Sequence, residues 1–238
     1  MGRTITHPSK RNVGFSEGID DESVALEFSK LQNLPQFKLI RKIPLKAVLE
    51  QKISEKTRIL DLGCGSGHFL IDLHRILKRN RLCARLYGLD IAQTMLDRSQ
   101  IHFNKKKVRG IKLILEDGVN IPVENEYFDV VSTSLSLHHW LKPEKVLAEI
   151  HRVTKLGGKF ILFDLHRLAS KGWFNFLKFI TKHIVPKALR NVNEPYRSLQ
   201  ASYTKDEIVK FIKNTPWSEE TYKISEVGPF IHFVFQKN

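Results

Sequence analysis

Cysteine is nearly absent: Cys64 and Cys83 are the only two in 238 residues, too few for a disulfide framework, and this usage points to a reducing, cytoplasmic setting. No apolar run reaches the roughly 18 residues that a membrane-spanning helix needs, and the N-terminus lacks the apolar stretch of a secretory signal. Acidic residues are outnumbered, 25 Asp and Glu against 39 Lys and Arg, a net charge of +14. The excess is not gathered into a tail. It recurs at Arg41 and Lys42, at Lys78, Arg79 and Arg81, at Lys105 to Lys107, and at Lys178, Lys182 and Lys187. That spread favours solvated faces, with a nucleic-acid surface or a peripheral membrane contact as secondary readings. Internal repeats and low-complexity stretches are also missing, so one large domain with appended elements is expected.

What is present is an alternation of strand-like and helix-like segments, which favours a mostly parallel sheet covered on both faces. Apolar runs predict strands at 58–62, 85–90, 111–115, 128–134 and 159–164. Phe69, Leu70, Leu73, Ile76 and Leu77 recur at helical spacing after the first strand, and Met95 and Leu96 turn inward from a helix of about 92–103. Pro143 opens another helix whose apolar face is Val146, Leu147, Ile150 and Val153, and Leu156-Gly157-Gly158 is expected to end it. Residues 22–53 read as helical with an interruption at Pro44. Thr204 and Glu207 offer a capping box, and the strands 221–224 and 230–236 flank Gly228-Pro229 as a closing hairpin. The expected division is a helical N-terminal extension at 1–54, a cofactor-binding core at 55–165, a helical insertion at 166–203, and a C-terminal helix and hairpin of the same domain at 204–238.

The chemistry is concentrated in Ile59-Leu60-Asp61-Leu62-Gly63-Cys64-Gly65-Ser66-Gly67, an apolar strand running into three alternating glycines. Residues without a Cβ let a backbone turn sharply beside a ligand, and the helix that follows presents its N-terminal N–H groups to it. Several nucleotide folds share this device. A dinucleotide motif would need a glycine where His68 stands, and a P-loop would need Gly-Lys-Ser or Gly-Lys-Thr, which is absent. Asp90 closes the next strand, where a carboxylate accepts hydrogen bonds from both hydroxyls of a ribose; the bland alternative is a helix cap before Ile91.

At this point the chain resembles the class I S-adenosylmethionine-dependent methyltransferases, and within them the small-molecule group that includes quinone-biosynthesis C-methyltransferases. The likeness spans about 55–165 and its parts come in the family's order: Leu60 to Gly67, Gly88-Leu89-Asp90, Glu116-Asp117-Gly118, Phe128-Asp129-Val130-Val131, then Leu137-His138-His139-Trp140. Glu149 to Val153 and Lys155 to Gly158 match the family's helix and turn before its fifth strand, without the proline that often precedes the glycines. The resemblance implies a Rossmann-like, doubly wound, seven-stranded sheet with a C-terminal antiparallel strand. It implies S-adenosylmethionine as cofactor and no metal. Asp61 belongs to the family's acidic set, Gly63 and Gly65 would border the methionine part, and Asp90 would hold the ribose. Ile91 and Met95 would line the adenine, Asp117 with Gly118 beside it would accept from the adenine amino group, and Ser134 would sit near the sulfonium.

Methyl transfer asks mainly for alignment and for removal of the acceptor's proton. His138 and His139 follow the fourth strand, and His139 is the candidate base, against a reading in which one histidine packs and the other is solvated. The acceptor is expected to be a small, partly apolar molecule. Between Gly172 and Val185, Trp173, Phe176, Leu177, Ile180 and Ile184 share one helical face while Lys171, Lys178 and Lys182 share the other. Such a helix roofs a substrate pocket, lies on an anionic membrane, or packs on the sheet edge. Trp173, Tyr196 and Arg197 are the candidate substrate contacts. Two further readings stay open: methylation of RNA or another nucleic acid, and a cofactor-binding subunit without turnover. Ser132-Thr133-Ser134-Leu135 after the fourth strand is unlike the Asn/Asp-Pro-Pro-Tyr/Phe run of exocyclic-amine methylation, and no Pro-Cys nucleophile is present. No obligate protein partner is indicated. Met1-Gly2-Arg3-Thr4-Ile5-Thr6 fits the loose N-myristoylation pattern.

Overall fold

A computed structural model describes residues 19–168 and 170–238. The N-myristoylation pattern lies outside them. Seven strands form one sheet: β1 (Arg58–Leu62), β2 (Arg85–Asp90), β3 (Ile111–Leu115), β4 (Phe128–Ser134), β5 (Thr154–Leu165), β6 (Thr221–Val227) and β7 (Phe230–Gln236), in the order β3-β2-β1-β4-β5-β7-β6. The five strands from β3 to β5 run parallel, while β7 is antiparallel to both β5 and β6. Alternation along the strands sends side chains to two cores. Leu60, Val131, Phe160 and Leu162 face one side with Trp217, under α5 (Pro143–Val153) and α9 (Lys205–Lys213). Ile59, Val130 and Ile161 face the other, where α3 (His68–Arg79) brings Leu70, Leu73 and Leu77, and α2 (Pro35–Leu49) brings Leu45 and Val48. The Thr204 capping box forms as expected, with the Glu207 N–H donating to Thr204 Oγ1 at 3.2 Å.

Two expected boundaries move. Pro44 sits inside α2, and the interruption falls instead at Asn33–Leu34, between α1 (Glu22–Gln32) and α2. Pro35 explains this: the residue before a proline is pushed out of helical backbone, and Leu34 is extended at φ −64, ψ 149. Likewise α5 ends at Val153, before the glycine pair, because Thr154 is already extended and belongs to β5. Gly157-Gly158 lies instead where the β4–β5 register slips, as Phe128 faces Thr154 but Val130 faces Lys159.

Beyond β5 the chain forms α6 (Lys171–His183), α7 (Lys187–Asn191) and α8 (Tyr196–Ala201). In α6 the buried positions are Phe174 and Thr181, whereas Trp173 and Phe176 of the amphipathic stripe are exposed. The N-terminal α1 packs on both α7 and α4 (Gln93–Lys106), so the extension meets the insertion. None of the described helices is long and apolar enough to cross a membrane.

Candidate active site

The glycine turn is held from three sides. The N–H groups of Gly63 and Cys64 both donate to Leu89 O, at 2.8 and 2.9 Å, Ser99 Oγ donates to Gly65 O at 2.7 Å, and the Gly65 N–H donates to Asp90 Oδ2 at 2.8 Å. Gly63 adopts φ +74, and a Cβ there would collide with the Ser136 side chain. Gly65, at φ +52, has open space where its Cβ would be. One glycine is thus required by its neighbour, and the other leaves room for a ligand.

Two carboxylates, Asp61 and Asp90, face this turn. Asp61 is 2% exposed, and its Oδ1 has no hydrogen-bond partner among the described residues. Desolvation, and then the Asp90 charge, holds its carboxyl well above the usual carboxylate range. Burial also raises Asp90, against the N–H groups of Ala92, Gly65 and Ile91 that favour its ionised form. The helix-cap alternative for Asp90 has a counterpart here, since the Ala92 N–H donates to Oδ1 at 3.0 Å, but each oxygen keeps accepting capacity. A buried carboxylate without a partner is costly unless a positive group completes it. The ammonium and sulfonium of S-adenosylmethionine suit Asp61, and its ribose hydroxyls suit Asp90, so these residues fit that cofactor.

Asp61, Gly63, Gly65, Asp90, Ile91, Met95, Asp117, Ser134 and His139 all line one cleft. Ser134 Oγ is buried there without a partner. Asp117 is exposed and turns the chain by accepting from the Val119 N–H at 2.9 Å. Gly118 shapes that turn at φ +80 and is not part of the lining among the described residues. Arg41, from α2, also borders the cleft, tied to Asp72 at 2.9 Å and to Gln32 O at 2.7 Å.

A second cavity, of about 1090 Å³, adjoins the first and shares Phe28, Phe37, Ile40 and Leu135 with it. Its wall is largely apolar, with Trp173, Phe176, Leu177 and Ile180 of α6 opposite Leu39 and Ile43 of α2. Leu135 stands between the two spaces at φ +56, a left-handed conformation that a branched side chain adopts at a cost, and the Phe163 carbonyl fixes it by accepting its N–H at 2.8 Å. The 3₁₀ turn Leu137–His139 then splits the histidine pair: His139 borders the cofactor cleft and His138 borders the apolar cavity. Trp173 lines that cavity. Tyr196 packs edge-on against Phe174 and, like Arg197, is not in the lining among the described residues; Glu194, Pro195 and Ser198 take their place.

The sequence reading overlooked Phe28, Phe37 and Ile40 of the N-terminal helices, and it overlooked Asp164 and Glu194. Asp164 carried a legible signal, since it ends the apolar run Phe160 to Phe163 just as Asp90 ends β2. Asp164 Oδ1 lies 2.6 Å from His138 Nδ1, with both side chains no more than 3% exposed.

Residues 60–162 match the methyltransferase domain family. The demethylmenaquinone methyltransferase of Geobacillus stearothermophilus is 24% identical over 184 residues, spanning 76% of this chain and 77% of that enzyme. The ubiquinone/menaquinone biosynthesis C-methyltransferase of Campylobacter jejuni is 23% identical over 206 residues, 83% of this chain and 86% of that one. Among solved structures, a SAM-dependent methyltransferase of Aquifex aeolicus superposes with a TM-score of 0.64 at 19% identity, covering 91% of this chain and 97% of that one.

Proposed function

We propose, for a chain that belongs to the class I S-adenosylmethionine-dependent methyltransferases, that its methyl acceptor is a small, largely apolar molecule seated between α2 and α6. The observation that carries this reading is the wall shared by the cofactor cleft and the apolar cavity, through Phe28, Phe37, Ile40 and Leu135. The cavity's size suits a ligand with an extended apolar part. The related enzymes named for demethylmenaquinone and ubiquinone/menaquinone act on molecules of this description, so a prenylated or alkylated ring is the class we assign. The unpaired cysteines, one of them exposed, agree with a reducing compartment such as the cytoplasm.

Bound S-adenosylmethionine supplies an electrophilic methyl on sulfur. In our assignment, Asp61 and Ser134 face its charged methionine end, Gly63 and Gly65 leave room for its backbone approach, and Asp90 accepts from its ribose. Ile91 and Met95 border the adenine, and Asp117 with Gly118 closes that end. The protein's contribution is alignment: Leu135 and Ser136 sit where acceptor and methyl meet, and the apolar walls exclude water.

Calorimetry with S-adenosylhomocysteine tests the assignment at Asp90. Asp90→Asn keeps the side chain's size and replaces a carboxylate oxygen with a donor. An affinity loss of roughly 1 to 3 kcal/mol is expected for hydrogen bonds lost at a desolvated site. An unchanged affinity refutes the assignment.

A further inference from the structure

The apolar cavity contains one buried polar cluster that cofactor binding does not use. His138 projects from the turn after β4, and Asp164 stands at the end of β5 beside it. The carboxylate is fully engaged: Oδ1 accepts from the Leu165 N–H at 2.6 Å and pairs with His138 Nδ1 at 2.6 Å, while Oδ2 accepts from the His138 N–H at 3.2 Å. An acceptor-only carboxylate facing Nδ1 assigns the proton to that nitrogen, which makes Nε2 the nitrogen able to take another. Glu194, also buried, borders the same cavity, accepts from Ser198 Oγ at 2.6 Å and interacts electrostatically with His138. Burial pushes the Glu194 carboxyl up, and His138 pulls it back down.

We propose that His138 Nε2 takes the proton of a weakly acidic hydroxyl on the apolar acceptor, with Asp164 as the positioning residue that fixes the ring. The acceptor's O–H bond breaks, the proton passes to Nε2, and oxygen keeps the electron pair. That pair, used at oxygen or delivered through a conjugated ring to carbon, forms the new bond to methyl; at carbon, the hydrogen on that carbon is then lost to solvent as a proton while the ring oxygen regains one. The methyl–sulfur bond breaks with its electrons left on sulfur, and the imidazolium returns its proton to solvent. No oxidant is needed. His139, on the cofactor side, is not the base in this arrangement.

The inference rests on the cavity being the acceptor site, and a probe that changes colour on ionisation separates the two ideas. With S-adenosylhomocysteine bound, wild-type protein is titrated with 2-octyl-4-nitrophenol, and binding and the visible nitrophenolate absorption are read together. Capture in the cavity with about a tenfold higher phenolate-to-phenol ratio than in water, one pKa unit, is the expected result. His138→Gln abolishes that rise while retaining S-adenosylhomocysteine affinity and, below the probe's own pKa, affinity for the neutral phenol, which also shows that the variant is folded. Asp164→Asn reduces the rise, and His139→Gln leaves it intact. Lys42 and Lys46 border the cavity too and are cationic, so Lys42→Met and Lys46→Met are measured alongside. A rise that survives in His138→Gln, or that disappears in the lysine variants instead, overturns the role of His138. Binding without any rise overturns it as well. Failure of wild type to bind the probe overturns the acceptor site itself.

Discussion

Acidification separates the fate of one buried histidine from the rest of the fold. His68 stands where a dinucleotide-binding chain would carry its third glycine. It opens α3 and is only 6% exposed. Its Nδ1 lies 3.0 Å from Ser66 Oγ, and its ring meets His102 edge-on at 4.8 Å, while His102 in turn reaches Ser66 O and, through Nε2, Ser29 Oγ of α1. Burial first, then the His102, Arg41, Lys106 and Lys38 charges, pushes the imidazole from 6.5 down to about 3. The positive end of the α3 dipole disfavours an imidazolium there as well. Between these values the unfolded chain binds the proton and the folded chain does not, so stability is complete above pH 6.5 and falls as pH drops towards 3. At 1.36 kcal/mol per unit, protonation of the unfolded state removes about 3 kcal/mol by pH 4. Asp61, Asp90 and Glu194 are raised and act in the opposite sense, so the informative quantity is a difference between proteins. Urea unfolding followed by tryptophan fluorescence at pH 7 and pH 4 is run on wild type and His68→Asn. Wild type should lose about 3 kcal/mol more than the variant. A difference below about 1 kcal/mol would mean that the folded protein accommodates the charge, and the reasoning would fail.

Two further outcomes follow from the packing. Leu177→Trp, on the cavity face of α6, should lower capture of the octyl nitrophenol at least about tenfold, while S-adenosylhomocysteine affinity changes by less than about 1 kcal/mol; equal losses for both ligands would show that the two spaces are not separable. Trp217 is fully buried and donates its Nε1–H to Leu147 O at 2.9 Å, so Trp217→Ala should cost roughly 3 to 5 kcal/mol and lower Tm by about 10 °C in a calorimetric scan.

The sheet was legible because its central strands are short apolar runs closed by acids or glycines, and each such run has one stable place in a parallel sheet. The cleft around the glycine turn was legible for a related reason: Asp61, Asp90 and Asp117 lie within two residues of the C-terminal ends of β1, β2 and β3, so linear order becomes spatial adjacency. The acceptor cavity had no such translation. Its wall is assembled from residues 28–50, 135–138, 165–198 and 227–234, which no local pattern connects. The different placement of His138 and His139 was hidden likewise, because neighbours on one 3₁₀ turn border different spaces and the Asp164 carboxylate that meets His138 comes from β5, 26 residues further on. The helix break was legible as well, since Pro35 is as visible in the sequence as Pro44 and it is Pro35 that pushes Leu34 out of helical backbone.

Of the residues around the acceptor cavity, only Leu135 and His138 fall within the matched stretch 60–162. In our assignment the acidic and glycine positions of the donor cleft come from the matched stretch, most of the acceptor cavity's lining comes from outside it, and the two spaces meet at Phe28, Phe37, Ile40 and Leu135. Under our proposal, exchange of 171–201 between enzymes of this architecture changes acceptor preference while S-adenosylhomocysteine affinity is retained. The segments flanking the shared core are the ones to vary when a new acceptor is wanted.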